Sequence, residues 1–189
     1  MSPRKAVQHE LTREMIMDAA RDLFAEKGYQ NASMRQIAKE LNYSHGAIYY
    51  HFKNKAELFY ALVEDHFDML NAELNRILQL DLVNKEKLRQ IFIGYIRFGL
   101  THQNHYEIMF LIKDEEIKDY INQGPNLTYE NFAQNVSLLC EKKVTPQVIW
   151  SVFLSLHGFV THFCRHIVSF AEIENFANAH TDFLVKALI

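Results

Sequence analysis

The side chains best suited to recognition chemistry are gathered in one run, Ser44-His45-Gly46-Ala47-Ile48-Tyr49-Tyr50-His51. Ser44 is of the type that caps a helix N-terminus, its hydroxyl oxygen accepting an amide N–H of the first turn. His45, Gly46 and Ala47 then open a helix with little bulk. A small-residue face lets a helix backbone come within reach of base edges in a DNA major groove. Other chemistry finds weaker footing. His162 and His166 stand four apart on one helix face, a metal-compatible spacing, but no Cys, Asp or Glu supplies a clear third ligand, so neither metal nor cofactor is expected. His102 and His105 flank a helix junction, where capping of last-turn carbonyls is the simplest role. A Gly-rich phosphate loop, HExxH and GxSxG are all missing. Asp114-Glu115-Glu116 reads as a solvated face, so nothing assembles a nucleophile, a base and oxyanion donors, and no enzyme is expected. Cys140 and Cys164 lie in apolar helical contexts without CxxC spacing, which fits reduced core or interface thiols in a cytoplasm.

Two short helices joined by a tight turn, over about residues 33–52, must hold the recognition run in place. Ser33 caps the first, and Gln36 completes a capping box by reaching back to the cap's own N–H. Ile37, Ala38 and Leu41 share an inward face, while Arg35, Lys39 and Glu40 look out. Asn42 tolerates the left-handed dihedrals of the turn, and Tyr43 plugs it from beneath. In the second helix Ile48 and Phe52 are core. Ahead of this pair, a helix from about Thr12 to Lys27 carries the stripe Ile16, Ala19, Ala20, Leu23 and Phe24, with Gly28 as a left-handed stop. Behind it, Asn54 and Glu57 form another capping box and open a long helix to about Gln79, lined by Leu58, Leu62, Leu70, Leu74 and Ile77. Residues 1–10 read as a mobile polar arm without an apolar h-region, so a cleaved leader is not expected.

The piece AARDLFAEKGYQNASMRQIAKELNYSHGAIYYHFKNKAEL, residues 19–58, resembles the tetracycline-repressor (TetR) family of bacterial transcriptional regulators almost without interruption. Ser44, Gly46, Ile48, Tyr49, His51, Phe52 and Lys55 follow the family's recognition-helix pattern. A second, weaker resemblance, Trp150 followed by His157-Gly158, is similar to a C-terminal domain variant of the same family. The first resemblance implies roles residue by residue. His45 and Ala47 fall where members meet base edges, His45 as donor or acceptor and Ala47 against a thymine methyl. Gly46 permits close approach, and Ser44 offers its hydroxyl and helix N–H groups to a phosphate. Tyr49, Tyr50 and His51 fall at backbone-contacting positions, although Tyr50 could equally pack sideways in the head. Lys55 adds a cation beside the next helix N-terminus, and Arg35 is a further phosphate candidate. Members often carry Thr where Ala47 stands, so a hydrogen-bonding group is missing there, which bears on operator preference.

At 189 residues the chain has room for one large or two small domains and an ample core. Hydrophobic content of 49% with only three prolines and six glycines favours helices over a strand-rich sandwich. The net charge of −3 hides an asymmetry: residues 1–60 hold nine Lys/Arg against seven Asp/Glu, whereas 61–189 hold eleven against sixteen. A mildly basic front on an acidic body fits a protein in which one small face meets phosphate.

From Asn84 onward the pattern stays helical. Leu88, Ile91, Phe92, Tyr95 and Ile96 form one stripe ending near His102, and a short helix follows over about Tyr106–Ile112. Gly124-Pro125 is the strongest break. Helices are then expected over about Asn126–Glu141, from Thr145-Pro146 to about Val168, and from a Ser169/Glu172 capping box to Leu188. No Asp, Glu, Lys or Arg lies between Lys143 and Arg165. Polar residues interrupt that stretch too often for a membrane span, and burial by both its own domain and a partner subunit explains it better.

These readings converge on an all-α chain: a three-helix helix-turn-helix DNA-binding domain over 9–69 and a helical ligand-binding and dimerisation domain over 70–189. It is expected to be a sequence-specific repressor, binding a palindromic operator as a homodimer through its last two helices. The resemblance further implies a pocket for a small-molecule inducer, with Phe92, Tyr95, Ile96, Tyr106, Met109, Phe110, Tyr129, Phe132, Phe153 and His157 as candidate walls. The alternative is a helical ligand-binding or adaptor module whose N-terminal helices meet protein.

Overall fold

The structure, a computed structural model, describes residues 10–112, 117, 124–140, 143–164 and 169–189, with only the backbone of 124–127. Residues 1–9 of the N-terminal arm, the acidic run at 114–116 and His166 lie outside the described residues. Within those residues all regular structure is helical.

Helix α1 (Arg13–Asn31) starts where the Thr12 hydroxyl accepts the Met15 N–H at 3.2 Å. Gly28 does not end it in the left-handed helical region as expected. With φ 77° and ψ 160° it takes a conformation that only glycine adopts readily, and the chain kinks there before a last turn. That kink returns Tyr29 to the core, its ring 5.6 Å from Phe24 and 5.2 Å from Phe59. Helix α2 (Met34–Glu40) begins at Ser33, whose hydroxyl oxygen accepts the Gln36 N–H at 3.3 Å. Gln36 does not reach back to the cap's N–H, because its amide oxygen accepts from the Ser33 hydroxyl at 2.9 Å instead. Asn42 takes the left-handed turn position at φ 60°, and the following Tyr43 N–H closes on the Ala38 carbonyl at 2.9 Å. Helix α3 (His45–His51) is then anchored by the fully buried Ile48 and Phe52.

Helix α4 (Lys55–Leu78) links this head to the rest of the chain. Asn54 accepts the Glu57 N–H at 2.7 Å, and Glu57 reaches the N–H of Lys53 at 2.8 Å, one residue before the cap. Leu58, Leu62, Leu70, Leu74 and Ile77 are buried along it.

Helix α5 (Asn84–Thr101) is the centre of the body, packed by α4, α6 (Gln103–Phe110), α7 (Gly124–Leu139), α8 (Pro146–Phe163) and α9 (Phe170–Leu188). Residues Ile91 to Ile96 are buried without a polar face, as a helix surrounded by others requires. Two glycines permit this crowding. A Cβ on Gly94 would lie 3.3 Å from Ile77 Cδ1, and one on Gly99 only 2.5 Å from Val160 Cγ1. Helix α6 starts earlier than the expected Tyr106, because His102, at φ −115° and ψ 56°, breaks α5 and opens α6 at once. The Gly124-Pro125 break is the start of α7 rather than an interruption before it, proline being accommodated in a first turn. Helix α8 ends at Phe163, short of Val168, and Thr145 forms no side-chain cap. At α9 the Ser169 hydroxyl meets the Glu172 carboxylate at 3.3 Å instead of capping an amide.

Taken alone, a single chain encloses α5 on all sides. Within one chain α8 leaves Trp150 and Leu154 exposed, and α9 leaves Phe176 at 67% and Phe183 at 68%. No helix among the described residues is long and apolar enough to cross a membrane.

The head meets the body where α1 and α4 pack on α6. His102 and His105 do not use their side chains to cap α5. The His105 ring instead lies flat on His66 of α4, centroids 4.0 Å apart and planes 12° apart, with His102 5.1 Å from His105.

Candidate nucleic-acid interface and body cavity

Helix α3 is fixed from three sides. Ser44 accepts the Ala47 N–H at 3.3 Å, which sets its first turn. Ile48 and Phe52 sink into the head core. At the far end Arg13 donates to the His51 carbonyl at 2.7 Å while its guanidinium lies 4.0 Å above the Phe52 ring. A cation at a helix C-terminus satisfies an orphan carbonyl and favours the helix dipole. Arg13 was invisible as a site residue from sequence, because its target is a backbone atom 38 positions away.

The face this arrangement turns outward is the run singled out above. Ser44, His45, Gly46, Tyr49 and Tyr50 are exposed, as is Arg35 on α2, and His51 and Ala47 are half-buried. His45 and Tyr49 meet edge to face at 4.7 Å. Tyr50 is 88% exposed, which settles its reading against sideways packing in the head. No side chain lies within 4 Å of a Cβ built on Gly46, leaving open ground on that side of the helix. Lys55 differs from the others. It does not project freely: its ammonium donates to the Tyr29 carbonyl at 2.8 Å and lies 4.0 Å above the Tyr29 ring, tying the start of α4 to the kinked end of α1. Two of its three donor hydrogens are left for an anion.

In the body a cavity of about 30 Å³ opens between α4, α5, α7 and α8, lined by Leu70, Leu74, Ile77, Tyr95, Phe132 and Phe153, with Asn71, Glu73 and Thr128 as polar members. Of the expected walls, Tyr95, Phe132 and Phe153 reach it. Phe92, Ile96, Tyr106 and Met109 are fully packed core, and Phe110, Tyr129 and His157 are half-buried around the same aromatic cluster. The contribution of α4 was the part missed, although its Leu70, Leu74 and Ile77 stripe carried the signal. Next to the cavity runs a polar chain: the Tyr95 and Tyr106 hydroxyls are 3.0 Å apart, and Tyr106 Oη lies 2.5 Å from His157 Nδ1. Burial pushes both phenols above their usual range and His157 below its own, so all three are neutral near pH 7.

Comparison with known proteins agrees with this geometry. Residues 16–62 match the family described as bacterial regulatory proteins, tetR family. An HTH-type transcriptional regulator of Staphylococcus aureus (strain MRSA252) is 33% identical over 92 residues, covering 48% of this chain and 49% of its own. This chain thus spans about half the length of that relative. The Transposon Tn10 TetC protein of Escherichia coli is 28% identical over 171 residues, 86% of this chain and 83% of TetC. In fold, the transcriptional regulator FadR of Bacillus subtilis, solved with stearoyl-CoA, superposes with a TM-score of 0.77 over 94% of this chain and all of FadR, at 19% identity. The matched 16–62 segment holds all of α2 and α3, so the head carries the N-terminal domain of the tetR family of bacterial regulatory proteins, and the likeness to TetC runs over both head and body.

Proposed function

We propose that this protein is a sequence-specific transcriptional repressor that binds a palindromic operator as a homodimer and is released by a small apolar or flat effector. The observation that carries the reading is the outward face of α3, where small and polar groups stand clear while Ile48 and Phe52 hold the helix from behind. His45 and Ala47 are assigned to base edges, Ser44, Tyr49, Tyr50 and His51 to the sugar-phosphate backbone, and Arg35 and Lys55 to phosphates. One head of this size makes few contacts. A two-fold pair would place two such helices about 34–36 Å apart, in successive major grooves. The exposed Leu154, Phe176 and Phe183 of α8 and α9 support those helices as the dimer surface, since apolar groups of that size are unusual on a free face. The site of action is the cytoplasm, where such an operator is found.

Head and body divide at about residue 69, with α4 shared between them. The effector site is assigned to the aromatic cavity. At about 30 Å³ it holds little more than a water, so an effector enters only by moving α4 against α5 and α7. It would then favour a head spacing unsuited to adjacent grooves, with a coupling of about 1–3 kcal/mol. The FadR relative was solved with a long-chain acyl thioester, which supports an apolar effector of some length here. Selection of bound sequences from random DNA tests the proposal directly. A recovered palindrome with half-sites one turn apart, bound in a salt-sensitive manner, is the expected result. Failure to enrich any sequence would refute it, and binding of a protein partner that DNA does not displace would favour the adaptor alternative.

A further inference from the structure

We propose that His66, His105 and Arg21 form an acid-sensitive lock between the DNA-binding head and the body, closed only while both imidazoles are neutral. Its effect on DNA rests on the function proposed above; the lock itself does not.

The three groups come from the three helices that meet at the junction, Arg21 from α1, His66 from α4 and His105 from α6. His66 is fully buried. Arg21 Nε stands 3.4 Å from His66 Nε2, and an arginine is a donor only, so His66 must present a lone pair at that atom. A proton arriving at Nε2 would set N–H against N–H. The tautomer this fixes carries its hydrogen on Nδ1, and that atom is buried without a partner, as is Nδ1 of His105. Buried polar atoms left unpaired are costly, so the closed junction sits above a fully satisfied one and needs little to open it. The stacked rings, 4.0 Å apart, add to this: charge on either places a cation against its neighbour's face and beside Arg21.

The surroundings compensate only in part: a backbone hydrogen bond at His105 favours the charged form of His66, and Asp18 and Asp22 favour that of His105, but both are outweighed. From α1 the facing groups are Arg21, Asp18 and Asp22; from the α5–α6 corner, His102; from α6, His105 itself and Asn104, whose amide donates to Asp22 at 3.4 Å. Asp18 is already paired with Arg21. Burial first, then the nearby His105, Arg21 and His102, push His66 down to about 3; burial first, then Arg21 and His102, push His105 to about 4 against the pull of Asp18 and Asp22.

Opening the junction to water returns each imidazole toward about 6.5. The open form then binds more protons, so the closed form loses ground as pH falls below about 6.5 and continues to do so toward pH 4. Between pH 7.5 and 5.5 the opening constant rises about tenfold per imidazole, and so about a hundredfold for the pair.

Native-state hydrogen exchange on the full chain reads that constant from amides of α1 and α6, after correction for intrinsic exchange. The wild type should show the hundredfold rise, and His66→Phe/His105→Phe, which keeps the stack without its protons, should be flat. His105→Phe alone should show about tenfold, and it serves if the double variant fails to fold. In parallel, the affinity for the duplex selected from random DNA at pH 7.5 should fall on acidification more steeply for wild type than for the Phe variants. His45 and His51 on the DNA face are common to all of these proteins and cancel in the comparison. Equal pH dependence in wild type and variants overturns the lock, as do imidazole resonances of His66 and His105 that titrate near 6.5 in the closed protein. Absence of any DNA complex at pH 7.5 overturns the proposed function instead, and exchange still decides the lock.

Discussion

Replacing Gly46 by Ala adds one methyl group to the helix assigned to the major groove, and free and bound protein should respond with opposite signs. In the free protein nothing lies within 4 Å of the new Cβ, so no clash arises. Alanine is the better helix residue by about 0.5–1 kcal/mol, and because Gly46 lies in the first turn of α3 the lower end applies, ~0.5 kcal/mol. For a chain of 189 residues that raises Tm by about 1–2 °C. On DNA the methyl occupies the space through which the backbone approaches base edges. Loss of one good base contact costs about 1–3 kcal/mol, so affinity for the selected duplex should fall about five- to 150-fold, with far less change on unrelated sequence. Thermal unfolding by circular dichroism and fluorescence anisotropy on labelled duplexes read the two effects. A higher Tm with unchanged affinity for the selected site would refute the placement of Gly46 at the bases.

Further substitutions probe other joints. Gly99→Ala drives a Cβ to 2.5 Å from Val160 Cγ1 and 2.9 Å from the Tyr106 ring, which its hydroxyl contacts hold in place, so overpacking should cost about 1–3 kcal/mol and lower Tm by several degrees; an unchanged Tm would show that α5 and α8 yield freely. Lys55→Met keeps bulk but loses the bond to Tyr29 and a phosphate contact. Affinity should drop similarly on all sequences and the salt slope should shrink by about one, whereas altered sequence preference would count against the phosphate role. Phe183→Glu should give a folded monomer in sedimentation equilibrium, and a dimer that persists would exclude this face of α9 from the interface.

The head was legible from sequence because its signals are local. Ser33, Asn42, Ser44 and Asn54 act within four residues of themselves, and the capping and turn geometry follow their types. Even there, where Gln36 and Glu57 would place their oxygens was missed, since a flexible side chain has more than one acceptable donor within reach. The body was legible as helices but not as an arrangement. That α5, despite its charged first turn, is the helix the others surround did not follow from its own pattern; Gly94 and Gly99 permit the close neighbours, a property of pairs of helices. The same limit hid Arg13, which works on a backbone carbonyl, and the histidine stack, whose members are far apart in sequence. Of the cavity walls, aromatic type pointed to Tyr95, Phe132 and Phe153, but only the packed structure brings α4 to the same space.

Helix α4 runs from the turn behind the recognition helix to the wall of the cavity, 24 residues without a break. At 1.5 Å per residue that is a rod about 36 Å long. Pivoting such a rod by about 5° at its inner end carries its outer end roughly 3 Å, close to the rise of one base pair along the duplex. The few ångströms by which an effector would spread the cavity are therefore matched in scale to a register error on DNA, and no large rearrangement of the body is required to produce one.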